Sequence, residues 1–115
     1  MYEYIYYTKR SGRQPAVIFR DRQPKTIRAD IDAKVRKLRE NGVDVLINTA
    51  MVGWLGPKEL YELRNRELGW RVAFYFDRGI NTFVLLCGFK KQRDLQPSDV
   101  AQARRYLKEY ISGRN

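Results

Sequence analysis

Hydrophobic and polar residues alternate with a period of two in several short segments, and this alternation predicts β-strands. A run rich in aromatic and β-branched residues at positions 2–7 predicts an N-terminal strand. Three more strand segments follow one another with short turns between them, at residues 60–65, 70–77 and 82–89. Because Gly69 and Gly79 supply the backbone freedom of tight turns, these three segments predict an antiparallel meander.

A helical period marks two other segments. Ile27, Ile31, Val35 and Leu38 recur at spacings of four, four and three, which predicts one apolar stripe on a helix that follows Pro24. Asn41-Gly42 is the predicted end of this helix. A second helix is predicted to open at Pro97 and to close at Gly113, with its buried stripe formed by Val100, Ala103, Leu107, Tyr110 and Ile111.

The remaining segments carry weaker signals. Residues 8–15 contain Gly12 and Pro15 and predict a loop, and residues 44–57 predict a short helical or irregular connector. These elements together predict a small α+β domain over residues 1–115, with a mainly antiparallel sheet of the N-terminal strand plus the three-strand meander. We expect the helices, including the C-terminal helix, to pack on one face. The other face would then be free for function.

The charge of the chain points to a polyanionic partner. Lys and Arg number 23 against 13 Asp and Glu, which leaves a net charge of +10 and a pI near 10.0. Such an excess is not needed for folding and attracts nucleic acid. DNA, RNA, the ribosome and an acidic protein would all respond to this field, so charge alone leaves the choice between them open.

Other features of the composition exclude whole classes of function. The apolar runs are too short to cross a membrane, and no export signal is visible at the N-terminus, so we expect a cytoplasmic protein without a membrane partner. Cys87 stands alone, which rules out an internal disulfide. With one cysteine and no histidine, we expect neither a metal site nor a cofactor.

The strand alternation predicts where the chemically active side chains lie. In the middle strand Trp70 belongs to the core side, so Arg71 and Tyr75 point to the other side. Glu62 and Arg64 of the preceding strand are expected to converge there with Arg71. Further cations are expected at the edge of this surface or elsewhere in reach of nucleic acid: Lys90, Lys91, Arg93, Lys58, Arg66, Arg36 and Lys37. A groove of this composition suits phosphates.

Several sequence motifs occur in an order that resembles a known family. LYELR at residues 60–64, GWRVAFYF at 69–76 and LLCGFKKQ at 85–92 are followed by Pro97 and a helix. The N-terminal YYTKRSGRQP, the basic helix and Asn41-Gly42 add to this order. Together they resemble the phage-derived branch of HigB-like toxins, in the RelE/ParE superfamily of type II toxin-antitoxin systems. The resemblance covers nearly the whole chain, although LYELR or GFKK alone would be weak.

The resemblance implies a fold and a function. A RelE-like domain would enter the ribosomal decoding site and cleave messenger RNA there, and a helix-turn-helix antitoxin would hold it silent. The arginine of the glycine-aromatic-arginine element supports the cleaved phosphate in such toxins, and Arg71 matches it. In RelE-like toxins, basic residues after the glycine of the third strand also contribute to the active site, and Lys90 and Lys91 occupy that neighbourhood. RelE has two lysines on the preceding strand, where this chain has Glu62 and Arg64, and this departure puts the general base in doubt.

The proton transfers of metal-free RNA cleavage are unassigned at this point. The 2′-hydroxyl must lose a proton and the leaving 5′-oxygen must gain one, and the chain has no histidine for either task. Glu62, a lysine with a depressed pKa and Tyr75 are the alternatives. Glu62 and Tyr75 also have ordinary structural interpretations. Glu62 could form an exposed ion pair with Arg64, and Tyr75 could pack on the sheet.

Three functions follow from the sequence. The first is a ribosome-dependent messenger RNA endoribonuclease, which is the toxin of a toxin-antitoxin pair and has the ribosome, mRNA and an antitoxin as partners. The second is a non-catalytic ParE-like toxin that acts on DNA gyrase. The third is a phage-derived nucleic-acid-binding module without toxicity. Codon preference, the antitoxin and the oligomeric state are not readable from one chain.

Overall fold

The computed structural model of the protein describes residues 1–90 and 96–113. The strands are β1 (Glu3–Tyr6), β2 (Val52–Gly56), β3 (Leu60–Asn65), β4 (Trp70–Asp77) and β5 (Thr82–Lys90). The helices are α1 (Pro15–Asp21), α2 (Lys25–Asn41), α3 (Val43–Leu46) and α4 (Pro97–Gly113). The predicted α+β class, the meander and both predicted helices are confirmed.

The strands of the described chain form one mixed sheet in the order β1-β5-β4-β3-β2. β1 runs parallel to β5, and the other neighbours are antiparallel. β1 pairs with β5 only from Thr82 to Leu85, so the second half of β5 continues beyond the reach of β1. β4 and β5 are the centre of the sheet, and a bulge opposite Ala73 and Phe74 shifts their register.

Helices cover both faces of the sheet, which corrects the expectation that they share one face. Apolar residues of α1, α2 and α3 pack against Trp70, Phe74 and Phe83 on one side. Ala103 and Leu107 of α4 pack on the other side, against a second buried cluster of β3, β4 and β5 residues. Central strands with apolar residues on both sides require cover on both sides. The face that carries Arg71 is therefore partly covered by α4.

The sequence prediction contained neither α1 nor β2. The predicted loop at residues 8–15 ends where Pro15 opens α1 at a first-turn position that proline favours. The predicted connector at residues 44–57 contains both the single-turn helix α3 and the edge strand β2.

Within the described residues, no helix is long and apolar enough to cross a membrane.

A partly buried polar anchor fixes α2 against the sheet at the end where β4 begins. The carboxylate of Asp30 accepts hydrogen bonds from the indole N–H of Trp70 at 2.9 Å and from Asn65 Nδ2 at 2.8 Å. Burial opposes ionisation of Asp30, but these bonds and the one from Lys34 outweigh it and lower its pKa. The anchor fixes the start of β4, one residue before Arg71.

Candidate phosphate-binding site

Arg64, Arg71 and Glu62 form a compact ionic group, here called the arginine cluster, on the α4 face of the sheet. Nη1 of Arg71 lies 2.9 and 3.0 Å from the two carboxylate oxygens of Glu62. Nη1 of Arg64 lies 3.0 Å from Oε1 of the same carboxylate. The Glu62 side chain is 3% exposed, whereas those of Arg64 and Arg71 are 16% and 12% exposed. The carboxylate is thus buried beneath two guanidiniums that reach the surface.

The strand register explains how this group assembles. Arg64 of β3 lies directly opposite Arg71 of β4, and Glu62 lies opposite Ala73. Residues 62 and 64 share a face because side chains alternate along a strand. Two like charges in opposite positions repel each other, so this pair needs a compensating charge. Glu62 supplies it to both arginines, and we infer that its carboxylate positions them.

The position of Arg64 depends on β2 as well. Its Nε donates a hydrogen bond to the carbonyl of Ala50 at 2.9 Å. A Cβ atom at Gly53 would lie 2.2 Å from Nη1 of Arg64 and 3.3 Å from Oε1 of Glu62. Only glycine leaves room for the guanidinium here. Sequence reasoning missed Gly53 as a site residue, although a glycine inside a strand is a signal of close approach.

The arrangement can stabilise an anion. Two guanidiniums and one carboxylate leave a local charge of +1 at a place that is partly shielded from water. Nε and Nη2 of Arg71 hydrogen-bond to none of the residues 1–90 and 96–113, so they can donate to an incoming phosphate. Such a donor strengthens as negative charge develops on a phosphate, because water is excluded nearby. The cluster is therefore suited to binding a phosphate.

Tyr75 shares the face of Arg71 but is not part of the cluster. Four residues separate them along β4, which corresponds to about 13 Å. The ring of Tyr75 lies 6.0 Å from that of Tyr110, so it packs beneath α4. This environment does not bring its hydroxyl to a phosphate held by Arg71.

Of the three cations predicted at and after the end of β5, Lys90 is described and the other two are not. Lys90 is exposed and pairs with Trp70 in the register of β4 and β5, whereas Phe89 pairs with Arg71. The base of Lys90 therefore belongs to the opposite face, and the structure does not bring it into the arginine cluster. Lys91 and Arg93 lie outside the described residues.

The remaining predicted nucleic-acid contacts are spread over the molecule. Arg66 is exposed in the turn between β3 and β4, at the same end of the sheet as Arg71. Lys58 is exposed in the turn between β2 and β3, at the opposite end. Arg36 and Lys37 are exposed on α2, which covers the other face of the sheet. Lys58, Arg36 and Lys37 therefore lie on other surfaces than the cluster, whereas Arg66 lies at the same end of the sheet.

Metal-binding side chains do not gather in the part of the chain that the structure describes. Among residues 1–90 and 96–113, no group of three or more His, Cys, Asp or Glu residues could hold an ion. Cys87 is buried in β5, and burial raises the pKa of its thiol to about 12, which makes the thiol inert. The chemistry of the described site thus rests on cationic hydrogen-bond donors.

Comparison with solved structures defines the class of fold. The chain superimposes on the crystal structure of the isolated E. coli RelE toxin with a TM-score of 0.60 and 14% sequence identity. The match covers 89% of this chain and 97% of the RelE chain. The protein is therefore a small α+β domain with a RelE-like fold, as its sequence motifs predicted.

Comparison with protein families identifies the particular family. The model of the phage-derived Gp49-like proteins matches residues 19–108, and the chain belongs to this family. The predicted phage-derived character is confirmed, whereas the assignment to the HigB branch stays a prediction. No curated protein gave a significant match.

Proposed function

We propose that this protein is the toxin of a type II toxin-antitoxin pair and that it inhibits translation by cleaving messenger RNA on the ribosome. One observation carries the proposal: two arginines converge over a buried carboxylate on a RelE-like sheet. The net charge of +10 favours a polyanionic partner. The partners proposed are the ribosome, its mRNA and a helix-turn-helix antitoxin.

Arg71 is the proposed catalytic residue. Its Nε and Nη2 would donate to the phosphate under attack and stabilise the charge of the pentavalent transition state. Arg64 would support the same phosphate from the neighbouring strand. Glu62 is a positioning residue in this account, because both its carboxylate oxygens accept hydrogen bonds from Arg71.

The proposed chemistry depends on the ribosome for orientation. Bringing the 2′-hydroxyl in line with the leaving 5′-oxygen accelerates such a reaction strongly. The 2′-oxygen bonds to phosphorus as the bond to the 5′-oxygen breaks, water takes up the 2′-hydroxyl proton, and water protonates the leaving 5′-oxygen. Phosphate stabilisation and substrate alignment can therefore be divided between the two partners. Arg66 at the same end of the sheet, with Arg36, Lys37 and Lys58 on other surfaces, would contact ribosomal RNA. Lys90, Lys91 and Arg93 are proposed to extend the contact with mRNA.

Growth after induction tests this proposal. Expression without antitoxin should arrest growth, and Arg71→Ala should restore it at equal protein level. The ends of cellular RNA should show new cuts within reading frames for the wild type alone. Arrest with intact messages and damaged DNA would instead support a gyrase-directed toxin, and normal growth would support a binding module.

A further inference from the structure

A second cationic site lies beside the free half of β5, in a cleft between the N-terminal loop, α1 and α4. The cleft encloses about 280 Å³, and its lining includes Lys9, Arg13, Phe19, Arg22, Gly88 and Tyr106. We call it the N-terminal cleft. Its volume falls below the ~300 Å³ typical of pockets for drug-sized ligands, so it suits a small group such as a phosphate with its sugar.

Three cations line this cleft without a carboxylate partner in the described part of the chain. Lys9, Arg13 and Arg22 form no ion pair with any residue of 1–90 or 96–113. The neighbouring Arg20 at the end of α1 is neutralised, because it pairs with Asp21 and Asp32. The cleft thus concentrates uncompensated positive charge in a concave place, where field lines are focused.

Backbone hydrogen bonds fix the main chain from which these three cations project. The amide of Lys9 donates to the carbonyl of Arg13, and the amide of Gly12 donates to the carbonyl of Lys9, both at 2.8 Å. This closed turn keeps Lys9 and Arg13 on one wall. Arg22 follows α1 directly, where its amide bonds to the carbonyls of Ile18 and Phe19. The backbone that carries these cations therefore needs little further ordering when a ligand binds.

The cleft adjoins the arginine cluster around the edge of β5, because Gly88 lines it from the α1 face and Tyr106 lines it from the α4 face, which carries Arg71. Gly88 lines the cleft, and the next residue, Phe89, lies directly opposite Arg71. Steps of about 3.8 Å along a strand and about 5 Å between paired strands place the backbone of Arg71 within roughly 10 Å of Gly88. That distance corresponds to one or two nucleotides of an extended single strand, which is the substrate proposed above.

We propose that the N-terminal cleft binds a backbone phosphate of the RNA strand, next to the phosphate held by Arg71. This inference rests on the proposed function and adds a second contact to it. Because the contact is made to phosphate, it fixes the register of the RNA without reading its sequence. A remote contact of this kind strengthens the binding of substrate and transition state equally.

Binding of a short single-stranded RNA to the free protein tests the cleft. Arg13→Ala and Arg22→Ala should each weaken binding at low salt for every RNA sequence tried. Each should also reduce the slope of log Kd against log salt concentration by about 0.7, the value for one lost phosphate contact with a single strand. Lys108→Ala is the matched control, because Lys108 is an exposed cation of α4 outside the cleft. Wild-type affinity and slope in both cleft variants would overturn the proposal.

Cleavage kinetics on programmed ribosomes separate this proposal from the proposed function. The cleft variants should raise KM and leave kcat unchanged, whereas Arg71→Ala should lower kcat. If the wild type cleaves no mRNA but the cleft variants still bind RNA more weakly, the proposed function fails and the cleft stands. If cleavage occurs and the cleft variants keep the wild-type KM, the cleft proposal fails alone.

Discussion

At the scale of single residues, Glu62 allows two guanidiniums to lie on one face of the sheet. Arg64 and Arg71 are cross-strand neighbours, and the buried carboxylate between them offsets their repulsion. A carboxylate bound in this way is engaged by its own arginines, which argues for a positioning role over proton transfer. The same contacts couple the stability of the fold to the geometry of the site.

Glu62→Gln tests this coupling. The amide removes the negative charge and leaves the two arginines uncompensated, so we expect a loss of about 1–3 kcal/mol in the free energy of unfolding. Cleavage should fall as well, because Nη1 of Arg71 then faces one amide oxygen in place of two carboxylate oxygens. Urea denaturation measures the stability, with Glu67→Gln in the exposed β3–β4 turn as control. Equal stability of Glu62→Gln and wild type would show that the cluster contributes nothing to the fold.

Gly53→Ala tests the position of Arg64 in the site largely apart from the stability of the fold. The new Cβ would lie 2.2 Å from Nη1 of Arg64, so this side chain must leave its place. We expect cleavage to fall while the free energy of unfolding drops by only about 1 kcal/mol, since the flexible end of Arg64 can move aside and Glu62 keeps its ion pair with Arg71. Gly56→Ala is a matched control, because its Cβ displaces only the exposed Arg104. Full cleavage by Gly53→Ala would remove Arg64 from the site.

At this scale the sequence predicted the common face of Glu62, Arg64 and Arg71, because strand alternation depends only on local order. Two facts required the three-dimensional register. The pairing of β4 with β5 places Lys90 opposite Trp70, and the packing of α4 covers Tyr75. Neither the bulge in this pairing nor the position of a distant helix has a local sequence signal.

At the scale of elements, α1 packs closely against β5 because Gly88 of β5 has no side chain. A Cβ at Gly88 would lie 2.2 Å from the ring of Phe19 and 2.9 Å from its Cβ. We therefore expect Gly88→Ala to lower the free energy of unfolding by about 1–3 kcal/mol through overpacking. Gly79→Ala, whose Cβ makes only an ordinary contact at 3.5 Å, should change it far less. Thermal unfolding compares the two, and equal effects would contradict this packing.

The attachment of α4 to Tyr7, the residue after β1, predicts that stability depends on alkaline pH. The hydroxyl of Tyr7 donates to Glu109 of α4 at 2.7 Å. Burial and this bond raise the pKa of Tyr7 from 10.0 to about 12. Between pH 10 and 12 the folded protein keeps a proton that the unfolded chain has lost, so stability must fall with rising pH in this window. Below pH 10 the contribution is complete.

Tyr7→Phe identifies the residue responsible. This variant should lose about 1 kcal/mol at neutral pH with the hydrogen bond. It should then show a shallower decline between pH 10 and 12 than the wild type, while Tyr61, whose pKa is also raised to about 12, still contributes in both proteins. Denaturant unfolding at several pH values measures the decline. Parallel declines in the two proteins would mean that Tyr7 does not titrate in this way.

Long periodic elements were predictable, and short ones were not. α2 and α4 have 17 residues each, enough to repeat an apolar stripe several times. α1 has seven residues and β2 has five, too few to establish a period. β2 also contains Gly53 and Gly56, and glycine weakens the sequence signal of a strand. Gly53 is nevertheless needed there, because a Cβ atom would occupy the place of the Arg64 guanidinium.

At the scale of the whole molecule, the cations occur on several surfaces. The arginine cluster and the N-terminal cleft lie at neighbouring parts of the sheet, whereas Arg36 and Lys37 are exposed on α2, on the opposite side. A single RNA strand cannot contact all of them. A large, folded polyanion could, and the distribution of charge therefore supports the proposal of ribosome-dependent action over a free RNA substrate.

Cleavage of mRNA on reconstituted, programmed ribosomes tests the central claim most directly. Purified wild-type protein should produce new RNA ends inside the ribosome-bound message and none in the same RNA without ribosomes. Arg71→Ala should lower the rate about 100- to 1,000-fold, the usual effect of losing one donor to the transition state, while Lys108→Ala should cleave like the wild type. No cleavage by the wild-type protein, or equal rates with Arg71→Ala, would contradict the account.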